Sequence, residues 1–370
     1  MSKLIELEKM GQSIWLDYIQ RSMITSGELK QLVDNGLRGV TSNPAIFEKA
    51  IAGSNDYDED LKQLINTDQS IEQIYEALAI KDITLATDTL RSVYDSSGGK
   101  DGYVSLEVSP QLAYETEKTI AEAKRLFETV SRPNVMIKVP ATTAGLPAIT
   151  ELIGSGVNVN VTLIFGLKNY KAVAAAYQAG LEKLAATGPA VDGGHPIDKV
   201  ASVASFFISR VDTAVDKELE KVGASELLGK IAVANSKLAY AKYTNILQEP
   251  RWQELAAKGA HVQRVLWAST STKNPDYPDN LYVDELIGPG TVNTLPPSTL
   301  ESFMDHGRVA ETLTQDLDSA QSQIVKLAEL GIDLEAITQK LQDDGVVAFV
   351  KPFAKLLESI AEKCKVLNAA

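Results

Sequence analysis

The chain has 370 residues, 44% of them hydrophobic and 23% charged, enough apolar mass for a full core under an ordinary charged surface. Its formal net charge is −13. That argues against nucleic acid or an anionic membrane as a partner, while a few local cations still suffice to hold a phosphate. A single cysteine, Cys364, rules out an internal disulfide, and with only three scattered histidines a Cys/His metal centre has no ligand set.

The first residues carry Glu6, Glu8 and Lys9 where a signal peptide would have its apolar core. No apolar run approaches the roughly 20 residues of a membrane span. The expectation is a cytoplasmic, soluble protein with no membrane partner.

In chain order, β-rich runs fall at residues 14–19, 39–43, 103–108, 135–141, 157–165, 200–211 and 262–269, with a weaker one at 292–295. Segments of helical periodicity lie between them. The first, 25–35, places Leu29, Leu32 and Val33 on one face, with Gly36 as its C-cap. The long connection 45–100 reads as two helices, 57–65 and 70–92. Further helices are expected at 110–130, 167–187 (stopping near Gly188-Pro189), 212–222, 225–247, 309–330 and 345–367. Eight strands alternating with helices predict an α/β chain: a single (β/α)8 TIM barrel spanning 1–370, with additional helices after strand 2 and at the C-terminus. A doubly wound open sheet is the runner-up. Neither G-x-G-x-x-G nor G-x-x-x-x-G-K-[ST] occurs after a strand, so nucleotide binding has no support.

The most informative segment is NVMIKVPATT, residues 134–143. Val135, Ile137 and Val139 alternate with Met136 and Lys138, which puts a lysine inside an apolar strand, where lysine is seldom fully buried without a reason. One reading is a lysine paired with a carboxylate at a strand end. The other is an imine-forming amine. Such an amine reacts as the neutral base, and a desolvating site favours that form.

Polar residues gather at the other strand ends: Asp17, Asn43, Glu107, Asn160 with Thr162, Ser205 with Arg210, and Ser269 followed by Lys273. Each has an ordinary structural use; Asn43-Pro44 suits a turn and Asp17 a helix cap. Together they mark one rim, and in this fold the C-terminal strand ends form the active site.

Thr41-Ser42-Asn43-Pro44 and residues 104–108, 135–141, 159–165 and 204–210 resemble the successive signature strands of the transaldolase family. The most specific matches are IKVPAT around Lys138 and NVTLIF after it, and the likeness runs over about residues 10–300. The resemblance implies a Schiff base on Lys138, with Asp17 taking the proton of the substrate C4 hydroxyl. It implies that Glu107 and Thr162 hold a catalytic water, and that Asn43, Asn160 and Ser205 bind a dihydroxyacetone unit. Arg210 would bind phosphate. An enamine that waits for an acceptor must also be kept from water, and Phe206 or Phe207, lying between Ser205 and Arg210, is expected to supply that wall. Many members carry a second arginine after the seventh strand. Here Ser269-Thr270-Ser271-Thr272-Lys273 stands there, so Lys273, helped by Ser269 or Ser271, takes that place.

The implied activity is transfer of dihydroxyacetone between sugar phosphates in the non-oxidative pentose phosphate pathway, with no cofactor and no metal. Homodimer and monomer are both compatible. A class I fructose 6-phosphate aldolase would use the same lysine, and a barrel that only binds sugar phosphates would need neither Lys138 nor Asp17.

Overall fold

The alternation of short apolar runs with helices closes into a ring. In a computed structural model, which describes residues 2–187 and 196–369, eight parallel strands pair in chain order and the last pairs back with the first. Helix α1 (Lys3–Lys9) precedes β1 (Gln12–Leu16), which is followed by α2 (Arg21–Thr25) and α3 (Glu28–Asp34). Strand β2 (Gly39–Thr41) leads into α4 (Pro44–Gly53), α5 (Asp58–Leu64) and α6 (Ile71–Ser96). Then come β3 (Tyr103–Glu107) and α7 (Thr116–Val130), β4 (Val135–Pro140) and α8 (Gly145–Gly154), and β5 (Val159–Ile164) and α9 (Leu167–Thr187). Strand β6 (Ser202–Phe207) is followed by α10 (Ser209–Val222), α11 (Ile231–Ile246) and α12 (Pro250–Ala257). Strand β7 (Arg264–Ala268) precedes α13 (Leu281–Glu285), and β8 (Thr291–Leu295) precedes α14 (Pro297–His306), α15 (Leu317–Glu329) and α16 (Leu334–Ala369).

All eight expected strands form, most of them shorter than the apolar runs that announced them. The largest difference is in the sixth. The run 200–211 continues past β6, but Ser209 already opens α10, so Arg210 sits in the first turn of a helix and not in the strand. The expected helix 25–35 is divided by Gly27, whose φ of +87° breaks the α geometry. The 45–100 connection holds a third helix, α4, started by Asn43 as N-cap and Pro44 in the first turn. Helix α16 begins eleven residues before the expected 345 and runs through Gly345 and Pro352. The expected stop of α9 at Gly188-Pro189 lies outside the described residues.

Inside the barrel, side chains fill three levels. At the bottom, Arg264 at the start of β7 reaches Asp101, which precedes β3. Above them the fully buried Trp15 packs on Tyr103, with ring centroids 6.3 Å apart. Gly39 lies opposite Trp15 in the β1–β2 register, and a Cβ there would stand 2.5 Å from the indole. Glycine is thus what lets a tryptophan fill the barrel at this level. The top level is the site described next.

The 45–100 connection also braces the loop after β1. Arg21 of α2 donates to Asp60 (2.5 Å) and to the fully buried Asp82, and the Tyr57 hydroxyl donates to Asp82 at 2.8 Å.

Candidate active site

Lys138 lies near the end of β4, with Glu107 of β3 beside it on one side and Asn160 of β5 on the other. Its side chain is only 7% exposed. The amine stands 3.7 Å from Glu107 Oε2, donates to the Ser42 carbonyl at 3.3 Å, and lies 5.6 Å from the centre of the Phe349 ring. Two buried polar atoms nearby have no hydrogen-bond partner: Glu107 Oε2 and Thr162 Oγ1. A buried polar atom left without a partner costs free energy, and this pair offers a ready place for a water or a substrate hydroxyl. Leu163, just after Thr162, has φ +62°, and the β5–β6 register shifts between Val161 and Ile164. Such bulges re-aim side chains beside active sites.

Asp17 follows β1 and accepts a hydrogen bond from Thr41 Oγ1 at 2.7 Å. Burial pushes its carboxyl above the ordinary aspartate range, against the opposing pull of Lys138, Thr41 and Lys273. Burial likewise raises Glu107, against the charge of Lys138 and with that of Asp17. Burial thus pushes both carboxyls in the same direction, a perturbation that often marks functional sites.

The other end of the site is cationic. Arg210 packs its guanidinium over the Phe207 ring, 5.5 Å from the centroid. Among the described residues no carboxylate pairs with it. Lys273 donates to Ser271 Oγ at 2.7 Å. Burial lowers its ammonium from the ordinary lysine value, the Arg210 charge lowers it further, and Asp17 opposes both. Two cations that repel each other across a cleft make a seat for a dianion.

A cavity of about 200 Å³ joins the two ends. Asp17, Asn43, Lys138, Thr162, Ser205, Arg210, Ser269 and Lys273 line it, as the sequence led one to expect. Two of the expected residues do not. Glu107 reaches the site through Lys138. Asn160 is fully buried and engaged within the protein: its Nδ2 donates to Ser105 Oγ at 3.0 Å and its Oδ1 accepts from Ser205 Oγ at 2.7 Å. Asn43 has its structural use as well, accepting from the Ile46 amide as the N-cap of α4. Ser269 adopts φ +58° and shares a 2.9 Å hydrogen bond with Ser209. Of the two phenylalanines, Phe207 faces the cavity, while Phe206 packs outside against Tyr170 and Trp267.

Phe349, which also lines the cavity, was not among the expected residues. It comes from α16, whose Gln342 Nε2 donates to the carbonyls of Ala141 and Leu163, each at 2.9 Å. The helix is thereby tied to the ends of the strands that carry Lys138 and Thr162. The available signal was Gly345: a Cβ there would lie 2.9 Å from the Leu163 side chain, so the glycine marks close approach of the helix to the barrel mouth. Thr294 of β8, hydrogen-bonded to Thr41 at 2.7 Å, is a second unforeseen member. Among the described residues no group of three or more His, Cys, Asp or Glu side chains is placed to hold a metal ion.

The family described as transaldolase/fructose-6-phosphate aldolase matches residues 14–360. Among curated proteins, the chain is similar to "Transaldolase 2" of Nostoc punctiforme, 47% identical, with 99% of this chain and 98% of the relative covered. It is also similar to the transaldolases of Frankia alni (48% identical, 97% of each covered) and Parafrankia sp. (49% identical, 98% of each covered).

Proposed function

Since the chain belongs to the transaldolase/fructose-6-phosphate aldolase family, we propose that it is a transaldolase working through an imine on Lys138. It moves a dihydroxyacetone unit from sedoheptulose 7-phosphate or fructose 6-phosphate to glyceraldehyde 3-phosphate or erythrose 4-phosphate. The observation that carries this reading is the pairing, in one cavity, of a buried amine flanked by unpartnered Glu107 and Thr162 atoms with two cations at the far end.

The neutral Lys138 amine attacks the C2 carbonyl of the donor and gives a carbinolamine. Water leaves, and an iminium forms. Glu107 and Thr162 hold the water that carries protons in this step and in its reversal. The Asp17 carboxylate takes the C4 hydroxyl proton, the C3–C4 bond breaks, and its electron pair moves to the iminium to leave an enamine. The aldehyde phosphate departs. An acceptor aldehyde then enters, the enamine carbon attacks it, and Asp17 returns the proton to the new hydroxyl. Hydrolysis of the resulting iminium frees the product ketose. Arg210 and Lys273 hold the phosphate of donor and acceptor in turn, so one seat serves both halves. Asn43 and Ser205 bind hydroxyls of the three-carbon unit; Asn160 orients Ser205.

Release of dihydroxyacetone to water, as in a fructose 6-phosphate aldolase, would need the enamine to be protonated. Phe207 and Phe349 line the cavity, one contributed by β6 and one by α16. Apolar walls of this kind exclude the water that would discharge the enamine, and the near full-length likeness to proteins named transaldolase favours transfer. The protein is read as a single-domain cytoplasmic enzyme, monomer or homodimer, with sugar phosphates as its partners and no cofactor. No helix among the described residues is long and apolar enough to cross a membrane.

Borohydride reduction in the presence of fructose 6-phosphate tests the reading. The expected result is a dihydroxyacetone-sized adduct on Lys138 with glyceraldehyde 3-phosphate released. Erythrose 4-phosphate should discharge the unreduced intermediate faster than water does. An adduct on another residue, or none, removes the mechanism. Discharge that ignores the acceptor turns the protein into an aldolase.

A further inference from the structure

The segment from Ser269 to Asn280, between β7 and α13, contains no regular secondary structure, yet it carries Lys273. A long lysine side chain on an unsupported loop would lose much freedom on meeting a phosphate. The loop is supported: Thr270 is tied to Asn293 and Thr294 of β8, and the remaining supports come mainly from one helix. Ser209, Asp212 and Asp216 stand at positions i, i+3 and i+7 of α10, which is one stripe of a helix. Ser209 binds the start of the loop through its amide (3.0 Å to the Ser269 carbonyl) and its hydroxyl (2.9 Å to Ser269 Oγ). Asp216 Oδ2 accepts from the Tyr277 hydroxyl at 2.7 Å, and Asp212 Oδ2 accepts from the Tyr282 hydroxyl at 2.9 Å, just past the loop. The second oxygen of each carboxylate is occupied too. Asp212 takes the Ala232 amide at 2.7 Å, and Asp216 takes the Gly229 amide at 3.1 Å. The carboxylates cannot swing away.

The tyrosine ring is seated as firmly as its hydroxyl. Gly229 has φ +68°, and a Cβ on it would come within 2.8 Å of the Tyr277 ring. The absence of a side chain there gives the ring its slot. The same α10 carries Arg210. The stripe therefore ties the loop holding one phosphate cation to the helix holding the other.

We propose that Tyr277 is a positioning residue of the phosphate seat: anchored on Asp216, it holds the Lys273 loop against α10 so that Lys273 and Arg210 close on one phosphate. This rests on the reading of Lys273 as a phosphate ligand. Tyr277 itself does not line the cavity.

Tyr277→Phe keeps the ring in its slot and removes only the hydroxyl. The test compares kcat/KM for erythrose 4-phosphate with that for unphosphorylated erythrose as acceptor. The expected loss is about fivefold for the phosphorylated acceptor, in line with one hydrogen bond, carried by KM and not kcat. The unphosphorylated acceptor should show no loss, and the rate of Lys138 trapping with unphosphorylated dihydroxyacetone should not change. In a Lys273→Ala background the Tyr277→Phe effect should vanish, because the two act as a unit. An equal loss for both acceptors would make Tyr277 merely structural and overturn the proposal, as would a loss that persists without Lys273. If Lys273→Ala alone leaves the preference for phosphorylated acceptor untouched, the phosphate role of Lys273 fails first, and the positioning role falls with it.

Discussion

The barrel encloses two buried charge clusters, one at each end, and they are built on opposite terms. At the bottom, the Arg264–Asp101 pair is surrounded by partners. Arg264 donates to both Asp101 Oδ1 and Ser13 Oγ at 2.8 Å and to the Lys100 carbonyl at 2.6 Å, while Ser13 and the Trp15 indole donate to Asp101 at 2.8 and 3.3 Å. At the mouth, Lys138 makes one long hydrogen bond, Glu107 Oε2 and Thr162 Oγ1 make none, and burial pushes two carboxyls upward. Burial is similar at the two ends: Arg264 and Lys138 are 4% and 5% exposed. What separates a plug from a reaction site here is satisfaction. The bottom uses its charges on itself; the mouth keeps its capacity for a substrate.

The contrast is sharpest when one cation is removed at each end. Lys138→Met takes away the proposed nucleophile, and turnover should fall by at least about 10⁴-fold, the scale of losing a covalent catalyst. Its thermal midpoint should fall less than that of Arg264→Met, because Glu107 and Asp17, already pushed up by burial, take up protons more readily once their cation is gone. Arg264→Met should do the reverse. It leaves Asp101 buried without its cation, at a cost of about 3–5 kcal/mol. Urea titration should show that loss while kcat of the folded protein stays within about twofold. A Lys138→Met protein that unfolds easily, or an Arg264→Met protein that is stable and inactive, would break the division between the two ends.

Glu107→Gln probes the mouth with a smaller step. The amide keeps the shape and cannot pass a proton, so kcat should drop by about 10²-fold or more, the scale of a positioned acid–base group. Stability should fall only modestly: Glu107 Oε2 accepts no hydrogen bond, and what is lost is its 3.7 Å ion contact with Lys138. Chemical denaturation and steady-state kinetics on the same sample read both quantities.

The two ends also differed in how far they could be read from the sequence. Lys138 was legible because a lysine alternating with valine and isoleucine contradicts its surroundings, and the β4 register bears out that placement. The eight strands were legible as β-rich runs between segments of helical periodicity. Trp15, Gly39, Arg264 and Asp101 gave no comparable signal: a tryptophan's need for a glycine opposite it, or an arginine's for an aspartate 163 positions away, exists only once the ring has closed. Arg210 was identified but assigned to a strand, since nothing in Phe206-Phe207-Ile208 announces where β6 stops and α10 begins. Phe349 escaped because an amphipathic terminal helix is ordinarily packing, and only the approach at Gly345 distinguishes a helix that crosses the mouth. The tyrosines that hold the Lys273 loop are likewise invisible until the i, i+3, i+7 stripe of α10 meets them.

The smallest expected effect concerns pH and links the phosphate end to the chemical end. In the proposed mechanism Asp17 must be ionised to take the C4 hydroxyl proton, and its ionisation is then expected to set the acid limb of kcat/KM. Burial raises it, and Lys273 is among the charges that hold it down. Replacing Lys273 with alanine removes a cation, which disfavours the carboxylate; Asp17 then ionises only at higher pH, and the acid limb moves up. Measuring with an unphosphorylated donor such as fructose separates this shift from weaker phosphate binding. The direction is diagnostic, because loss of a phosphate contact alone would lower kcat/KM at every pH without moving the limb. A limb that stays in place would mean that Asp17 is not the titrating base, or that water between it and Lys273 screens their interaction. An upward shift would establish that the cation which recognises phosphate also keeps the base in its working form.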